Sequence, residues 1–359
     1  MIRGLQVSGF RNLETQSFAP GSGSNLLLGG TGSGKTSLLE AAYLATTTRS
    51  FRTSRLRDCL RSDGRESAFS VVAEVETSSR SQLGVGWSSE GFWRRLNGET
   101  VALSEHLAAQ PILAWTSAET EVLTGEPELR RRFVDRGVVG ERPAALETLQ
   151  RLRKVLGQKR SLLSSSRHGR PQDLESWNDL LAQSIHRVAC ERHSHCERLS
   201  AALGEVATEC ELGFPQLSVS YRPSPRVALE SYDAVLAALS AKAADEVARQ
   251  RCLLGSHRDR IEILWSDRAV GRVASAGERK AVGLCLLAAQ SRLLEQAGRP
   301  PLLLLDDLDT ELDRRTFCRV WSAFSKLDQV FASSNRPEVW EDLPIACRWA
   351  VAAGRVEAP

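Results

Sequence analysis

Hydrophobic positions along this chain fall into two regimes. Up to about residue 120 they come in short runs bounded by glycine and polar residues: Asn25-Leu26-Leu27-Leu28, Val71 to Val75, Leu83 to Trp87 and Trp93 to Leu96. Such runs predict strands, and Asn97-Gly98 is a hairpin turn signal. One helix interrupts them, because Leu38, Leu39, Ala42 and Ala45 recur on one side of the segment from Ser37 to Ala45. From Glu128 to Leu253 the period becomes helical. Leu146, Leu149, Leu152 and Leu156 mark one face, the polar stretch Ser164 to Pro171 breaks it, and Leu174, Trp177, Leu181, Val188, Leu199, Leu203 and Val206 resume it. Two long helices joined by a polar turn are the simplest reading. With no sustained charged heptad over about 130 residues, a compact lobe is expected in place of an extended coiled-coil arm. After His257 strand and helix alternate again: a strand from Ile261 to Trp265, a helix from Glu278 to Ala297, a strand from Leu302 to Leu305 and another near Gln329 to Ala332. The pattern predicts one α/β domain built from residues 1–120 and 254–359, with residues 121–253 inserted as a helical lobe.

Composition fits one or two globular domains with a large core: 359 residues, 42% of them hydrophobic and 25% charged. No apolar run approaches the roughly 18 residues of a membrane span, and Met1-Ile2-Arg3-Gly4 leads into a polar segment, so the chain is expected in the cytoplasm. Eight cysteines without a CxxC pair indicate neither a disulfide framework nor a zinc ribbon, and they read as reduced packing residues. The net charge of +3 hides an uneven distribution. Between Arg130 and Arg170 twelve basic residues face three acidic ones, whereas residues 261–359 carry 13 basic and 14 acidic. That excess makes a polyanion partner for the middle of the chain plausible. Arginine outnumbers lysine 41 to 6, and its flat guanidinium grips phosphate with two parallel hydrogen bonds.

Gly29-Gly30-Thr31-Gly32-Ser33-Gly34-Lys35-Thr36 matches the phosphate-loop pattern GxxxxGK[ST] in full. Its glycines let backbone N–H groups wrap a β-phosphate, Lys35 reaches the β- and γ-phosphates, and Thr36 offers its hydroxyl to Mg²⁺ at the positive end of the next helix. Leu302-Leu303-Leu304-Leu305-Asp306-Asp307 has the form of a buried parallel strand that delivers a carboxylate at its C-terminal end. Asp306 is placed to hold Mg²⁺, and Asp307 to position or deprotonate the attacking water. Ser275-Ala276-Gly277-Glu278 opens a helix with a good N-cap and a glycine that permits close approach of an anion.

These motifs, with Leu312-Asp313 downstream, resemble the ATP-binding-cassette-like heads of the structural-maintenance-of-chromosomes superfamily, and within it the RecF family. The resemblance runs through Gly9-Phe10-Arg11-Asn12, the phosphate loop with Ser37, Leu39 to Leu44, Arg49-Ser50-Phe51-Arg52-Thr53, Arg130 to Asp135, Gly255-Ser256-His257-Arg258-Asp259, Ser275 to Glu278, and Leu304 to Asp307 through Glu311-Leu312-Asp313. It implies an α/β, ABC-ATPase-like head with an inserted compact helical lobe, and ATP with Mg²⁺ as cofactors. Arg11 and Asn12 join the nucleotide site by the same resemblance. It also implies a homodimer in which Ser275, Gly277 and Glu278 of one copy cap the γ-phosphate held by the other, Leu312-Asp313 acting as the D-loop, with slow hydrolysis releasing the pair. Gapped duplex and single-strand/double-strand junctions are the implied DNA partners, and RecO-like and RecR-like mediators the implied protein partners, so that a recombinase is directed to gaps.

This chain departs from the family pattern at Thr31 and Ser37, where Asn is usual, at Thr116-Ser117-Ala118-Glu119, and at Asp259-Arg260, where paired aspartates are usual. Candidate DNA contacts are Arg49, Arg52, Arg55 and Arg57 after the first helix, and Arg151, Arg153, Lys154, Lys159 and Arg160 on the inserted lobe. His186, Cys190, His193 and Glu197 share a helix face that could ligate zinc, but polar surface residues on a long helix are the favoured account. Two rival readings are a free-standing NTP-dependent enzyme, which predicts fast turnover without a dimer, and a scaffold that binds ATP structurally.

Overall fold

The computed structural model describes all residues except 62, 63, 65, 78, 166–172, 358 and 359. Strands β1 (Ile2–Ser8), β2 (Gln16–Phe18) and β3 (Gly23–Leu28) precede helix α1 (Lys35–Thr47). Next come β4 (Phe69–Glu76), β5 (Arg80–Ser88), β6 (Gly91–Leu96), α2 (Leu103–Ala109), β7 (Ile112–Trp115) and α3 (Ser117–Thr124). The middle of the chain holds α4 (Pro127–Glu141), α5 (Ala145–Ser165), α6 (Leu174–Glu209), β8 (Leu217–Arg222) and α7 (Tyr232–Arg249). Strands β9 (Arg260–Trp265) and β10 (Arg268–Ala269) and helices α8 (Val270–Val273) and α9 (Ala276–Gln296) follow. The chain ends with β11 (Leu302–Leu305), α10 (Arg314–Ser322), β12 (Gln329–Ser334), β13 (Cys347–Ala352) and β14 (Arg355–Glu357).

Two compact units result. The first comprises Met1–Glu121, Glu205–Phe214 and Val273–Pro359; the second comprises Val122–Gly204 and Pro215–Arg272. In the first unit a six-stranded sheet in the order β14-β13-β3-β12-β11-β7 is parallel except at β14, and a five-stranded sheet, β2-β1-β4-β5-β6, is antiparallel. Helix α1 packs against strands of both, which explains why it is buried almost all round, from Ser37 through Thr46, where a surface helix would bury one stripe. Leu38, Leu39, Leu44, Val71, Val85, Leu302, Leu304 and Phe331 belong to the common core. The turn expected at Asn97-Gly98 forms, with Leu96 bridged to Glu99, but it lies beyond β6 and joins no two strands of the sheet.

The second unit is more than two helices. Helices α4 to α7 are joined by the antiparallel sheet β10-β9-β8, so residues 254–272, expected to start the second head segment, are part of this unit. The last turn of α6, by contrast, counts with the first unit. Of the polar break anticipated between Ser164 and Pro171, positions 166–171 lie outside the described residues, and with them Arg167 and Arg170 of the basic stretch. Leu149, Leu152, Leu156, Leu181, Ile185, Val188, Val235 and Leu239 form an apolar core in this unit.

A buried ionic cluster accompanies that core. The Arg192 guanidinium donates to both carboxylate oxygens of Asp135, at 2.8 and 3.0 Å, to Asp259 Oδ2 at 2.8 Å and to the Ser256 carbonyl at 2.8 Å. Burial by itself would lower the Arg192 pKa, but the adjoining charges of Asp135 and Asp259 raise it, so the side chain stays charged. Asp259 also accepts from Tyr221 Oη at 2.7 Å and from the Ser224 N–H at 2.8 Å. Removing the arginine leaves two carboxylates enclosed without a counter-charge. Arg192→Met should therefore lower stability by about 3–5 kcal/mol, read from urea denaturation of the full chain. Arg292→Ala, which removes ion pairs to the largely exposed Glu205 and Glu209, should cost under about 1 kcal/mol.

Candidate nucleotide-binding site

Parallel pairing sets the site. Leu305 of β11 lies opposite Ala332 of β12, and Ala332 opposite Leu26 of β3, so the C-terminal ends of the three strands coincide. The phosphate loop leaves β3 at Gly29, Ser333 and Ser334 end β12, and Asp306 follows β11. Ligand chemistry at the carboxyl edge of parallel strands is the general rule of such sheets.

Two glycines in the loop are required by geometry. Gly34 caps α1 with φ 117°, a left-handed conformation that strains any side chain, and a Cβ there would sit 2.9 Å from Leu13 Cδ2. At Gly29 a Cβ would come within 2.2 Å of the Val351 carbonyl oxygen. The loop is backed by the β13–β14 turn, where the Gly354 N–H donates to the Ser33 carbonyl at 2.8 Å. On its other flank Asn12 Nδ2 donates to the Gly32 carbonyl at 2.8 Å and accepts at Oδ1 from Ser37 Oγ at 2.7 Å. Ser37, one of the two departures in the loop, thus helps hold Asn12 against it. Lys35 Nζ donates to the carbonyls of Gly29 and Gly30 at 2.8 and 2.9 Å, and the Ser33 hydroxyl is buried without a hydrogen-bond partner.

Asp306 is the electrostatic centre. Its Oδ1 accepts from Thr36 Oγ1 at 3.0 Å and from Ser333 Oγ at 2.6 Å. Burial pushes its carboxyl pKa up, and the neighbouring charge of Asp307 adds to the rise; the two hydroxyls and the Lys35 ammonium oppose it. A hard cation held by Thr36 and Asp306 would relieve that unfavourable charge, and their all-oxygen donor set suits Mg²⁺. Asp307 is exposed, adopts φ 48°, and its N–H donates to Ser333 Oγ at 3.0 Å. Asp tolerates this left-handed backbone better than most residues.

The signature segment forms the start of α9. Ser275 caps it, with its side chain accepting from the Glu278 N–H at 3.3 Å while the Glu278 carboxylate accepts from the Ser275 N–H at 2.7 Å. Those hydrogen bonds hold the Glu278 carboxyl below its usual pKa. At Gly277 a Cβ would lie 3.0 Å from the Glu311 carbonyl oxygen, so the missing side chain lets the Glu311 backbone approach. Asp313 caps α10 by accepting from Thr316 N and Oγ1 at 3.0 and 2.6 Å, and Leu312 beside it is half-buried. Sequence reasoning missed Lys280, whose Nζ donates to the carbonyls of Asp307 and Thr310 and to Thr310 Oγ1 at 2.9, 2.7 and 2.7 Å. It also missed Ser333, since a serine ending an apolar strand carries no recognisable signal.

Other expected site residues are placed differently. Arg11 binds the fully buried Glu40, at 2.6 and 2.9 Å, and the Asp58 carbonyl, which commits its guanidinium to the protein. Arg49, Arg52, Arg55 and Arg57 are exposed after α1, Arg52 lying 3.4 Å from Glu40. On α5, Arg151, Arg153, Lys154 and Arg160 are exposed, but Lys159 is fully buried and paired with Glu246 at 2.6 Å, which removes it from the candidate DNA contacts. Asp259, which precedes the departure from the family pattern at Arg260, has its side-chain hydrogen bonds among the described residues within the second unit. The proposed zinc face does not assemble: His186 Nδ1 meets the Ala228 carbonyl at 2.8 Å, and among the described residues no three His, Cys, Asp or Glu side chains gather as a metal site.

The family described as the RecF/RecN/SMC N terminal domain matches residues 1–350. The DNA replication and repair protein RecF of Synechococcus sp. (strain JA-3-3Ab) is 32% identical over 333 residues, which are 87% of this chain and 85% of that protein. Its counterpart from Geotalea daltonii is 27% identical over 338 residues, covering 92% of each. In fold the chain is similar to structures of the recombination mediator protein RecF-ATP and RecF-ATPrS in the RecFOR pathway, at TM-scores of 0.89 and 0.87, with 23% and 24% identity, covering 100% of this chain and 97% and 98% of those chains. An Smc head bound to the C-terminal winged-helix domain of ScpA is a more distant match, at TM-score 0.57, 14% identity and coverage of 100% and 97%. With phosphate loop, strand-end aspartates and capped signature helix assembled in one unit, the chain belongs to the RecF family.

Proposed function

We propose that this chain is an ATP-gated DNA-binding protein of DNA replication and repair, in which nucleotide joins two copies and slow hydrolysis separates them. The observation that carries this reading is the hydrogen-bonded union of Thr36, Asp306 and Ser333 beside the phosphate loop. In this reading the loop N–H groups and Lys35 bind the phosphates of ATP, and Thr36 and Asp306 hold Mg²⁺. The metal neutralises charge on the β- and γ-phosphates. Asp307, exposed at the same edge, orients the attacking water and accepts its proton. Ser275 is exposed, and its hydroxyl oxygen caps only its own helix, which leaves its O–H free to donate to a γ-phosphate presented by a second copy. The capped helix start adds its positive end to that contact.

The exposed arginines at 49, 52, 55 and 57, and at 151, 153 and 160 with Lys154, would bind DNA through phosphates, with little sequence preference. Gapped duplex with single-strand/double-strand junctions is the proposed DNA, and RecO-like and RecR-like mediators are the proposed partners in directing a recombinase there. Among the described residues no helix is long and apolar enough to cross a membrane, and the cytoplasm is the proposed place of work on DNA.

Sedimentation of the full chain with Mg²⁺ and a nonhydrolysable ATP analogue should show a dimer that Lys35→Ala abolishes. A chain that stays monomeric with analogue and gapped duplex together overturns the proposal. Asp307→Asn should keep nucleotide-driven dimerisation while slowing phosphate release from ATP about 10²- to 10⁴-fold. Replacing Arg49, Arg52, Arg55 and Arg57 by alanine should weaken DNA binding and flatten the dependence of log affinity on log salt by about one unit per lost phosphate contact. An unchanged salt slope removes that cluster from the interface.

A further inference from the structure

The second unit contains an open cavity of about 460 Å³ that the nucleotide chemistry does not use. Three segments wall it: the C-terminal part of α5 with Arg160, Ser161 and Ser164, the residues after α7 with Gln250, Arg251 and Cys252, and the short turn carrying His257 and Arg258. Among the described residues no Asp or Glu lines it, whereas Arg160, Arg251 and Arg258 all do, and none of these three has an ion pair to a described carboxylate.

Ordinary structural duties do not account for this concentration of charge. Two of the last carbonyls of α7 already accept backbone N–H groups, Val247 from Gln250 and Glu246 from Arg251, both at 3.2 Å. The nearby Lys159 ammonium is cancelled by Glu246. Arg160 leans only on the Cys252 thiol. His257 Nδ1 is buried with no hydrogen-bond partner. Burial, then the charges of Arg160, Arg258, Arg131 and Lys159, push the His257 pKa down to about 4, so the ring is neutral at pH 7 and the excess charge belongs to the arginines. Three exposed guanidiniums around one concavity raise the positive potential there and attract an anion.

We propose that the cavity walled by Arg160, Arg251 and Arg258 is a binding site for a phosphomonoester, the dianionic phosphate at the end of a strand or on a free nucleotide. A concave site with donors on three sides fits a phosphate with three free oxygens. A backbone diester offers only two and follows a groove. Arg–phosphate pairing supplies charge-assisted, bidentate hydrogen bonds. The proposal does not rest on the DNA-binding reading above, since inorganic phosphate alone tests the site.

The experiment follows the ring resonances of His257 in the ¹⁵N-histidine-labelled full chain, assigned by loss in His257→Gln. Nucleotide is left out, inorganic phosphate replaces chloride at constant ionic strength, and the titration is repeated in Lys35→Ala, where a shift that persists does not come from phosphate held by the loop. The expected result is a saturable shift with phosphate and none with chloride, weakened about tenfold in Arg251→Ser and in Arg258→Ser. Both residues are exposed and outside the core, so the fold is retained. A 5′-phosphorylated oligonucleotide that displaces phosphate far better than its 5′-hydroxyl form and than AMP identifies a strand end. AMP matching the oligonucleotide identifies a free nucleotide, and either outcome upholds the site. No saturable shift in the parent chain, or a shift unchanged in both arginine variants, overturns it.

Discussion

The Asp306 carboxylate is the constraint around which the first unit is arranged. It is enclosed at the strand ends, its charged form is disfavoured by burial and by Asp307, and hydroxyls from two other segments, Thr36 and Ser333, hold it in place. Only a parallel order with β12 between β3 and β11 brings those three groups together, because antiparallel neighbours would send one of the ends to the opposite edge. The leucines of β11 serve the same end. All four are buried, so the strand is fixed in register, and a slip of one residue would turn Asp306 away from Thr36.

The second unit solves a different problem. It encloses charged groups beside opposite charges, Arg192 with Asp135 and Asp259, Lys159 with Glu246, and Glu141 with Arg198. Such pairs add little net stability over an apolar replacement, but each is costly to break from one side. Against that internal balance, the unbalanced arginines around the open cavity stand out as a feature that folding itself does not require.

How far the sequence was legible follows from which interactions are local. The phosphate loop is contiguous and its glycines answer to steric demands, so it could be read directly, as could the capping box from Ser275 to Glu278. The leucine strand ending in Asp306 could be read because buried parallel strands are uniformly apolar. Ser333 could not, since its role depends on which strand β12 adjoins. Lys159 was legible but was counted with its neighbours: Leu152, Leu156, Lys159 and Leu163 are spaced four, three and four apart, which puts it on the buried face of α5, just as Val235, Leu239, Ala243 and Glu246 align on α7. Two opposite charges on two apolar faces predict a pair, which a tally of basic residues conceals. The short sheet β10-β9-β8 escaped notice as part of the second unit because its strands are separated by a helix and long turns, and the helical pattern around them dominated.

The contacts of Lys280 add one step to the reading of the signature helix. Its ammonium, itself desolvated so that its pKa is lowered, binds the carbonyls of Asp307 and Thr310, while Gly277 admits the Glu311 carbonyl. The first turns of α9 are therefore fastened to the same short backbone stretch that carries Asp307. That stretch is in turn anchored by the Asp307 N–H on Ser333, whose hydroxyl also serves Asp306. A cation at Asp306 would change the charge that Ser333 faces, and Ser333 is joined by the Asp307 N–H to the backbone that Lys280 grips. The carboxylate that would hold a metal and the helix that would meet a second copy are two ends of one hydrogen-bonded path, and each of its links is a contact within a single unit of the chain.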